Sequence, residues 1–327
     1  MRAQVIKEFG GPEKLQMADL PKPKAGPGQV LVKIHAAALN PVDAKIRGGL
    51  PVGPEMPAVL GCDLSGVVEA VGEEVTAFAP GDAVYGCAGG VKGHGGTLAE
   101  YIAADARLLA RKPESLSFHQ AAALPLVSIT AWEAMDKLDI GEGDHVLILG
   151  GTGGVGHVAV QLAKARGAKV TATVSSDEAA KIARELGADQ IVNHREDKVE
   201  DYVAKLTGGA GFDAIFDTVG GANLENSFVA AAVGGRVATI NARATVDLGN
   251  MHGKALSLHV VFMLLPMLRG PGREAHGAIL QQVAALADAG ELKPLIDDHS
   301  FTLEQAGKAH ALLDSGKMRG KIVVDIA

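Results

Sequence analysis

Five of the seven residues from Gly150 to Gly156 are glycine, directly after the apolar run HVLILG and directly before a stretch with helical periodicity. Glycine costs roughly 0.5–1 kcal/mol relative to alanine inside regular structure, so a cluster this dense needs a compensating reason. Gly151, Gly153 and Gly156 form G-x-G-x-x-G between a strand and a helix. In that setting a tight turn, a close backbone approach to a pyrophosphate and tight packing of helix on strand each exclude a β-carbon. The opening helix offers free N–H groups to phosphate, which brings Gly154 and Val155 into the same candidate site. The alternative is a flexible turn; the strand before and the helix after favour dinucleotide binding.

From Asp144 onward strands and helices alternate: HVLILG, a helix over residues 154–166, KVTATV, the helix DEAAKIAREL, QIVN, then FDAIFD and GRVATI with helical stretches between them. Short apolar strands alternating with helices predict a parallel sheet covered on both faces. Residues 1 to about 124 read differently, as short β segments (AQVIK, QVLVKIHAAAL, SGVVEAVG, DAVYG, LAEYIA) separated by loops such as PKPKAGPG. The tail gives a helix from HGAILQQVAALADAG, another around 303–314, and a last strand in GKIVVDIA. The fold class is therefore α/β with a second, β-rich domain, and 327 residues with 47% hydrophobic content suffice for two cores.

The charge balance narrows the partners. A net charge of −7 without a long Lys/Arg stretch argues against nucleic acid and anionic membrane surfaces. The N-terminus MRAQVIKEFGG has no apolar signal core, and the longest apolar run, VVFMLLPML, is short and broken by Pro266, so a cytoplasmic location is expected. Cys62 and Cys87 are the only cysteines, too few for a disulfide framework or a four-cysteine zinc lobe.

The end of the second strand of the alternating region bears on which dinucleotide binds. An NAD site usually places an acid about 20 residues after the first glycine to hold the ribose 2′-hydroxyl. Ser175 and Ser176 stand there instead, and Lys181, His194 and Arg195 could supply positive charge to a 2′-phosphate, so NADPH is the expected cofactor. The alternative is that the serines cap the helix starting at Asp177 and that Asp177 itself binds a ribose.

The segments EFGGPEKLQ, ALNPVDAKIRGG, SGVVEAVGEEVTAFAPGDAVYG, GGTLAEY, AAALPLVSITAWEAM, GGTGGVGHVAVQLAKARGA, ELGADQIVNHRE, DTVGG and MRGKIVV resemble, in order and over almost the whole chain, the medium-chain dehydrogenase/reductases, and within them the zinc-independent quinone oxidoreductases of the zeta-crystallin type. The resemblance implies a GroES-like β domain over residues 1–124, completed by 268–327, around a doubly wound Rossmann domain over 125–267, with the active site in the cleft between them. It places Asn40 near the nicotinamide and substrate, where its amide would hydrogen-bond a developing oxyanion; the alternative is a turn residue ahead of Pro41. It also places Thr130 and Asn241 against the cofactor, and a homodimer is expected.

Alcohol dehydrogenases of this superfamily carry three zinc ligands at positions that here hold Asn40, Cys62 and Leu126. One thiolate does not make the three-ligand site of catalytic zinc, although Cys62, Asp63 and Asp43 could assemble a metal site if Cys62 is not simply a small buried residue. None of the histidines recurs at H-x-x-x-H spacing, and His94 reads as a loop residue. Two further departures are Leu50 and Pro51 where many relatives place a tyrosine, and Ser175 where they place a glycine. Without zinc nothing would stabilise an alkoxide, so the expected reaction is hydride transfer from NADPH to a quinone or another activated α,β-unsaturated carbonyl. The alternatives are an enone or enoyl-thioester reductase and a non-catalytic NADPH-binding protein.

Overall fold

The computed structural model describes residues 1–326. The chain divides into two compact units, Met1–Ile129 with the segment from Leu264 onward, and Thr130–Met263. The sequence reading sets the edges of the inserted domain at 125 and 267.

In the inserted unit six strands adjoin in the order Gln190–Asn193, Lys169–Val174, His145–Leu149, Phe212–Asp217, Ala231–Thr239 and Ser257–Val260. Every pairing is parallel. Counted along the chain this is third, second, first, fourth, fifth, sixth, so the order reverses between His145–Leu149 and Phe212–Asp217. This is the doubly wound sheet that the alternation predicts, with ligand sites expected beyond the carboxyl ends of the strands at the reversal. Leu147, Phe212, Ile215, Phe228 and Val237 form one buried cluster with Tyr202. Helices cover such strands on both faces, which is why FDAIFD and HVLILG are almost continuously apolar. The sixth strand, Ser257–Val260, is absent from the sequence reading; it is a short edge strand whose residues are exposed or half-buried, so it carries no apolar run.

The other unit carries a seven-stranded sheet in the order Phe301–Thr302, Ile322–Asp325, Gln29–Leu39, Asp63–Val71, Ala83–Cys87 and Leu109–Arg111, with Tyr101–Asp105 also paired to Gln29–Leu39. A three-stranded sheet joins Gln16–Asp19, Arg2–Ile6 and Ala58–Val59. The long central strand fixes what lies at its end. Ile322 pairs with Leu39 on one side, and Ala38 pairs with Asp63 on the other, both antiparallel. Asn40, the residue after the strand, is thereby flanked by Lys321 and Asp63, although these are 281 and 23 residues away in sequence. Beyond Asn40 the chain turns into the helix Pro41–Arg47, with Pro41 at its first position and the Asn40 N–H donating to Asp43 Oδ2 at 2.7 Å.

Candidate cofactor site and the buried cluster at Asp63

The glycine turn follows the strand His145–Leu149 and leads into the helix Gly156–Ala165. Its sharpest conformational demand falls on Gly150, one residue before the G-x-G-x-x-G pattern, where φ is +70°. A β-carbon on Gly156 would collide with the Gly150 carbonyl oxygen, and one on Gly151 would lie 2.7 Å from the Ala172 methyl carbon on the neighbouring strand. Gly153 is different: it is exposed, and a β-carbon there would meet only the Gly150 oxygen, at 3.2 Å. Gly151 is thus required by packing of turn on strand and Gly156 by close approach of the turn to itself, and Gly153 is the glycine that leaves the outer side of the turn open. Val155 sits at the helix N-cap without a capping side chain and Gly154 beside it is half-buried; the His157 N–H is taken by the Gly153 carbonyl at 3.1 Å, which leaves the N–H groups of Gly154 to Gly156 for an anion. The cradle fits a pyrophosphate.

The other cofactor candidates lie beyond the carboxyl ends of the same sheet. Ser175 and Ser176 follow Lys169–Val174, His194 follows Gln190–Asn193, and Asn241 stands two residues after Thr239. Ser176 caps the helix Asp177–Glu185, its hydroxyl accepting the Ala179 N–H at 3.2 Å. The hydroxyl hydrogen remains available to a ligand. Ser176 and Lys181 share a cavity of about 430 Å3 with Arg184 and Asn193, together with the acids Asp177 and Asp197. Ser175, His194 and Arg195 do not line it. Asn241 donates from Nδ2 to the Val219 carbonyl at 3.3 Å, which ties the loop after the fifth strand to DTVGG, the loop after the fourth. Thr218 in that loop donates its hydroxyl to Leu149 O at 2.6 Å, closing the reversal point from the other side. Thr130 is buried in the helix Pro125–Lys137.

In the β-rich unit, the sequence reading of Asn40 as oxyanion donor or turn residue meets a third arrangement. Asn40 is about 1% exposed, and both ends of its amide are engaged. Nδ2 donates to Asp63 Oδ2 at 2.9 Å, while Oδ1 accepts from the Lys321 ammonium. Lys321, also about 1% exposed, donates in addition to the Leu39 carbonyl at 2.8 Å and lies 3.4 Å from Asp63 Oδ2. The remaining oxygen of Asp63 accepts the Leu126 N–H at 2.9 Å, from the first turn of the helix Pro125–Lys137. Burial pushes the Asp63 carboxyl upward, against the opposing pull of the Lys321 ammonium. A carboxylate that accepts three N–H donors in a dry site is the ion-paired form such a geometry selects.

Asp43 and Cys62 extend the cluster. The Cys62 thiol donates to Asp43 Oδ1 at 3.2 Å, and Asp43 is pushed up to about 6 by burial. A hydrogen bond with Cys87, then burial, hold the Cys62 thiol well above its ordinary value. Two of the three positions that bear zinc ligands in the alcohol dehydrogenases therefore meet at Asp63, Asn40 by its side chain and Leu126 by its backbone N–H, while the third, Cys62, turns its thiol to Asp43. This donor set does not fit zinc: it offers an amide nitrogen, a peptide N–H and a protonated thiol, with an ammonium already facing the carboxylate. Among the described residues no group of three His, Cys, Asp or Glu side chains is arranged to hold a metal ion. The sequence reading missed Lys321; the only signal was its place in MRGKIVV, just before an apolar final strand.

The family description "alcohol dehydrogenase GroES-like domain" matches residues 26–114, and "zinc-binding dehydrogenase" matches residues 186–324. The human quinone oxidoreductase is 34% identical over 328 residues, covering 99% of this chain and 97% of that one. A solved NAD-dependent alcohol dehydrogenase superposes with a TM-score of 0.90 at 36% identity, covering all of both chains. A mycobacterial protein solved in complex with NADPH gives 0.88 at 30% identity, covering 99% of this chain and 100% of its own. The chain belongs to the medium-chain dehydrogenase/reductase superfamily. It is an oxidoreductase of that superfamily, built to bind a pyridine nucleotide and related over its full length to proteins named quinone oxidoreductase.

Proposed function

We propose that this protein transfers hydride from NADPH to a quinone or another activated α,β-unsaturated carbonyl, without zinc. The observation that carries the reading is that, of the three positions where a zinc enzyme would place ligands, Asn40 and Leu126 donate to the Asp63 carboxylate and the Cys62 thiol donates to Asp43. Without a Lewis acid, oxidation of an alcohol needs a general base to take its proton, whereas an enone or quinone accepts hydride directly.

The bound nicotinamide supplies the hydride. Gly154 to Gly156 present backbone N–H groups to the pyrophosphate, and Ser176 and Lys181 face the 2′-phosphate. Asn40 donates its second amide hydrogen to the acceptor's oxygen as negative charge develops there, and water supplies the proton that completes the hydroquinone or the saturated ketone. NADPH is preferred over NADH because no acid stands at Ser175 or Ser176. The competing choice, NADH, rests on Asp177, which lines the same cavity as Lys181. The exposed edge strand Ser257–Val260, with Val260 and Phe262 each about half exposed, is read as the face that pairs with a second copy, and sedimentation of the purified protein tests the dimer.

The test is turnover of NADPH and NADH with a panel of simple quinones, enones and alcohols, with metal analysis of the same sample. Quinone or enone reduction that survives chelators, in protein without stoichiometric zinc, supports the proposal. Alcohol oxidation that tracks bound zinc overturns it.

A further inference from the structure

The buried cluster inverts the polarity of a metal site: its centre is an anion, Asp63, and its surroundings are donors. That arrangement gives Lys321 a task. An ammonium has three donor hydrogens and no acceptor, so the Asn40 amide atom that faces it must be the oxygen. This fixes the amide against its own 180° flip, which would otherwise exchange a donor for an acceptor at nearly equal shape. With Oδ1 held by Lys321 and one Nδ2 hydrogen held by Asp63, the second Nδ2 hydrogen has a fixed direction and, among the described residues, no acceptor on the chain. A buried donor without an acceptor is costly to leave unmade and is conspicuous for that reason.

We infer that Lys321 is a positioning residue for the reaction: through Asn40 Oδ1 it aims the free Nδ2 hydrogen of Asn40 at the oxygen of the substrate carbonyl. The cation that alcohol dehydrogenases apply directly to the substrate oxygen is here set back by one amide. Charge is relayed as orientation, since Lys321 polarises the amide whose other end is the donor. Three adjacent strands make the placement rigid. Lys321 precedes Ile322, which pairs with Leu39, and Asp63 pairs with Ala38, so the ammonium, the amide and the carboxylate are fixed by sheet register and not by a loop.

The inference rests on the reading of Asn40 as oxyanion donor, and its test separates the two. Lys321→Met alone would leave Asp63 as an unpaired buried charge, so the informative variants are charge-neutral: Lys321→Met with Asp63→Asn, and Lys321→Gln with Asp63→Asn, each checked for native circular dichroism. The glutamine amide still donates to Asn40 Oδ1. The methionine pair should lose about 10²-fold in kcat, as expected for losing one oxyanion donor, with NADPH affinity unchanged. The glutamine pair should recover most of that loss. Adding Asn40→Ala to the methionine pair should change kcat little further, because both act on one hydrogen bond. A folded methionine pair with wild-type kcat, or losses that multiply with Asn40→Ala, overturns the inference. A readout independent of turnover is hydrogen exchange of the Asn40 side-chain amide by NMR: slow in the wild type and the glutamine pair, fast in the methionine pair. Equal rates in all three overturn the positioning of Asn40. Absence of quinone and enone turnover in the wild type defeats the proposed function instead, while the exchange rates still report on Lys321.

Discussion

The glycine turn at residues 150–156 and the polar cluster around Asp63 are both polar sites, but they are assembled in opposite ways. The turn is one contiguous stretch whose partners are its own carbonyl at Gly150 and the adjacent strand at Ala172. It offers backbone dipoles and no charged side chain, so it suits a ligand that brings its own charge. The cluster draws Asn40, Asp63, Leu126 and Lys321 from four places in the chain, and it brings both charges of its ion pair with it. A site of the first kind tolerates change in everything except its glycines. A site of the second kind fails when either charge is removed, because the survivor is left buried.

That contrast is open to direct attack. The largest effect is expected in the turn: Gly154→Asp sets a carboxylate against the cofactor phosphates, and like charges in a partly desolvated site repel by several kcal/mol, weakening NADPH binding on the order of 10³-fold. The fold should survive, since an acid at a helix start suits the dipole. Titration of NADPH fluorescence alongside a melting curve checks both halves, and unimpaired binding would move the pyrophosphate elsewhere.

In the cluster the order reverses, with stability lost first. Lys321→Met leaves Asp63 unpaired and should lower the unfolding free energy by about 3–5 kcal/mol, read from urea unfolding. The additional change Asp63→Asn should restore a large part of it. A single variant as stable as the wild type would show that Asp63 and Lys321 are not held as an ion pair.

Asp43 sharpens the comparison through pH. Its carboxyl rises from an ordinary 3.8 to about 6 in the folded protein, chiefly through burial. The folded state therefore binds more protons than the unfolded chain in that interval. The contribution is fully present below pH 3.8 and is lost as pH rises through about 6, on the order of 3 kcal/mol in all. Asp43→Asn should flatten this slope in denaturant midpoints measured from pH 4 to 7; an unchanged slope would assign the proton to another group. The glycine turn has no titratable side chain and contributes nothing to that slope.

The smallest effect belongs to the rim of the cofactor site. Lys181→Met removes one exposed cation from the cavity that also holds Ser176, and should weaken NADPH by roughly five-fold, about 1 kcal/mol, while leaving NADH unchanged. Equal losses for both nucleotides would take the 2′-phosphate away from Lys181.

Much of the inserted unit was legible because its signals are local. Strands such as HVLILG and FDAIFD are apolar runs, the helices between them have helical spacing, and the glycines punctuate the turn. Ser257–Val260 escaped because an exposed edge strand needs no apolar pattern. Reading Ser176 as a helix cap proved correct in its local hydrogen bond, which depends only on residues 176 to 179. Asn40 was identified as a residue of interest, yet its partners were out of reach: nothing local relates it to Lys321.

By itself, then, the sequence determined the parallel sheet and the glycine turn between its first strand and helix, and the resemblance put Asn40, Cys62 and Leu126 where alcohol dehydrogenases carry a zinc-ligand set, since each is written in the identity or spacing of neighbouring residues. Only the tertiary structure decided what stands in place of that set. The register of Ile322 on Leu39 and of Ala38 on Asp63 carries a lysine from the last strand to the side of Asn40. Side chains alternate along every strand with the same period, so the pattern of one strand says which face a residue takes but not which residue of another strand it will meet.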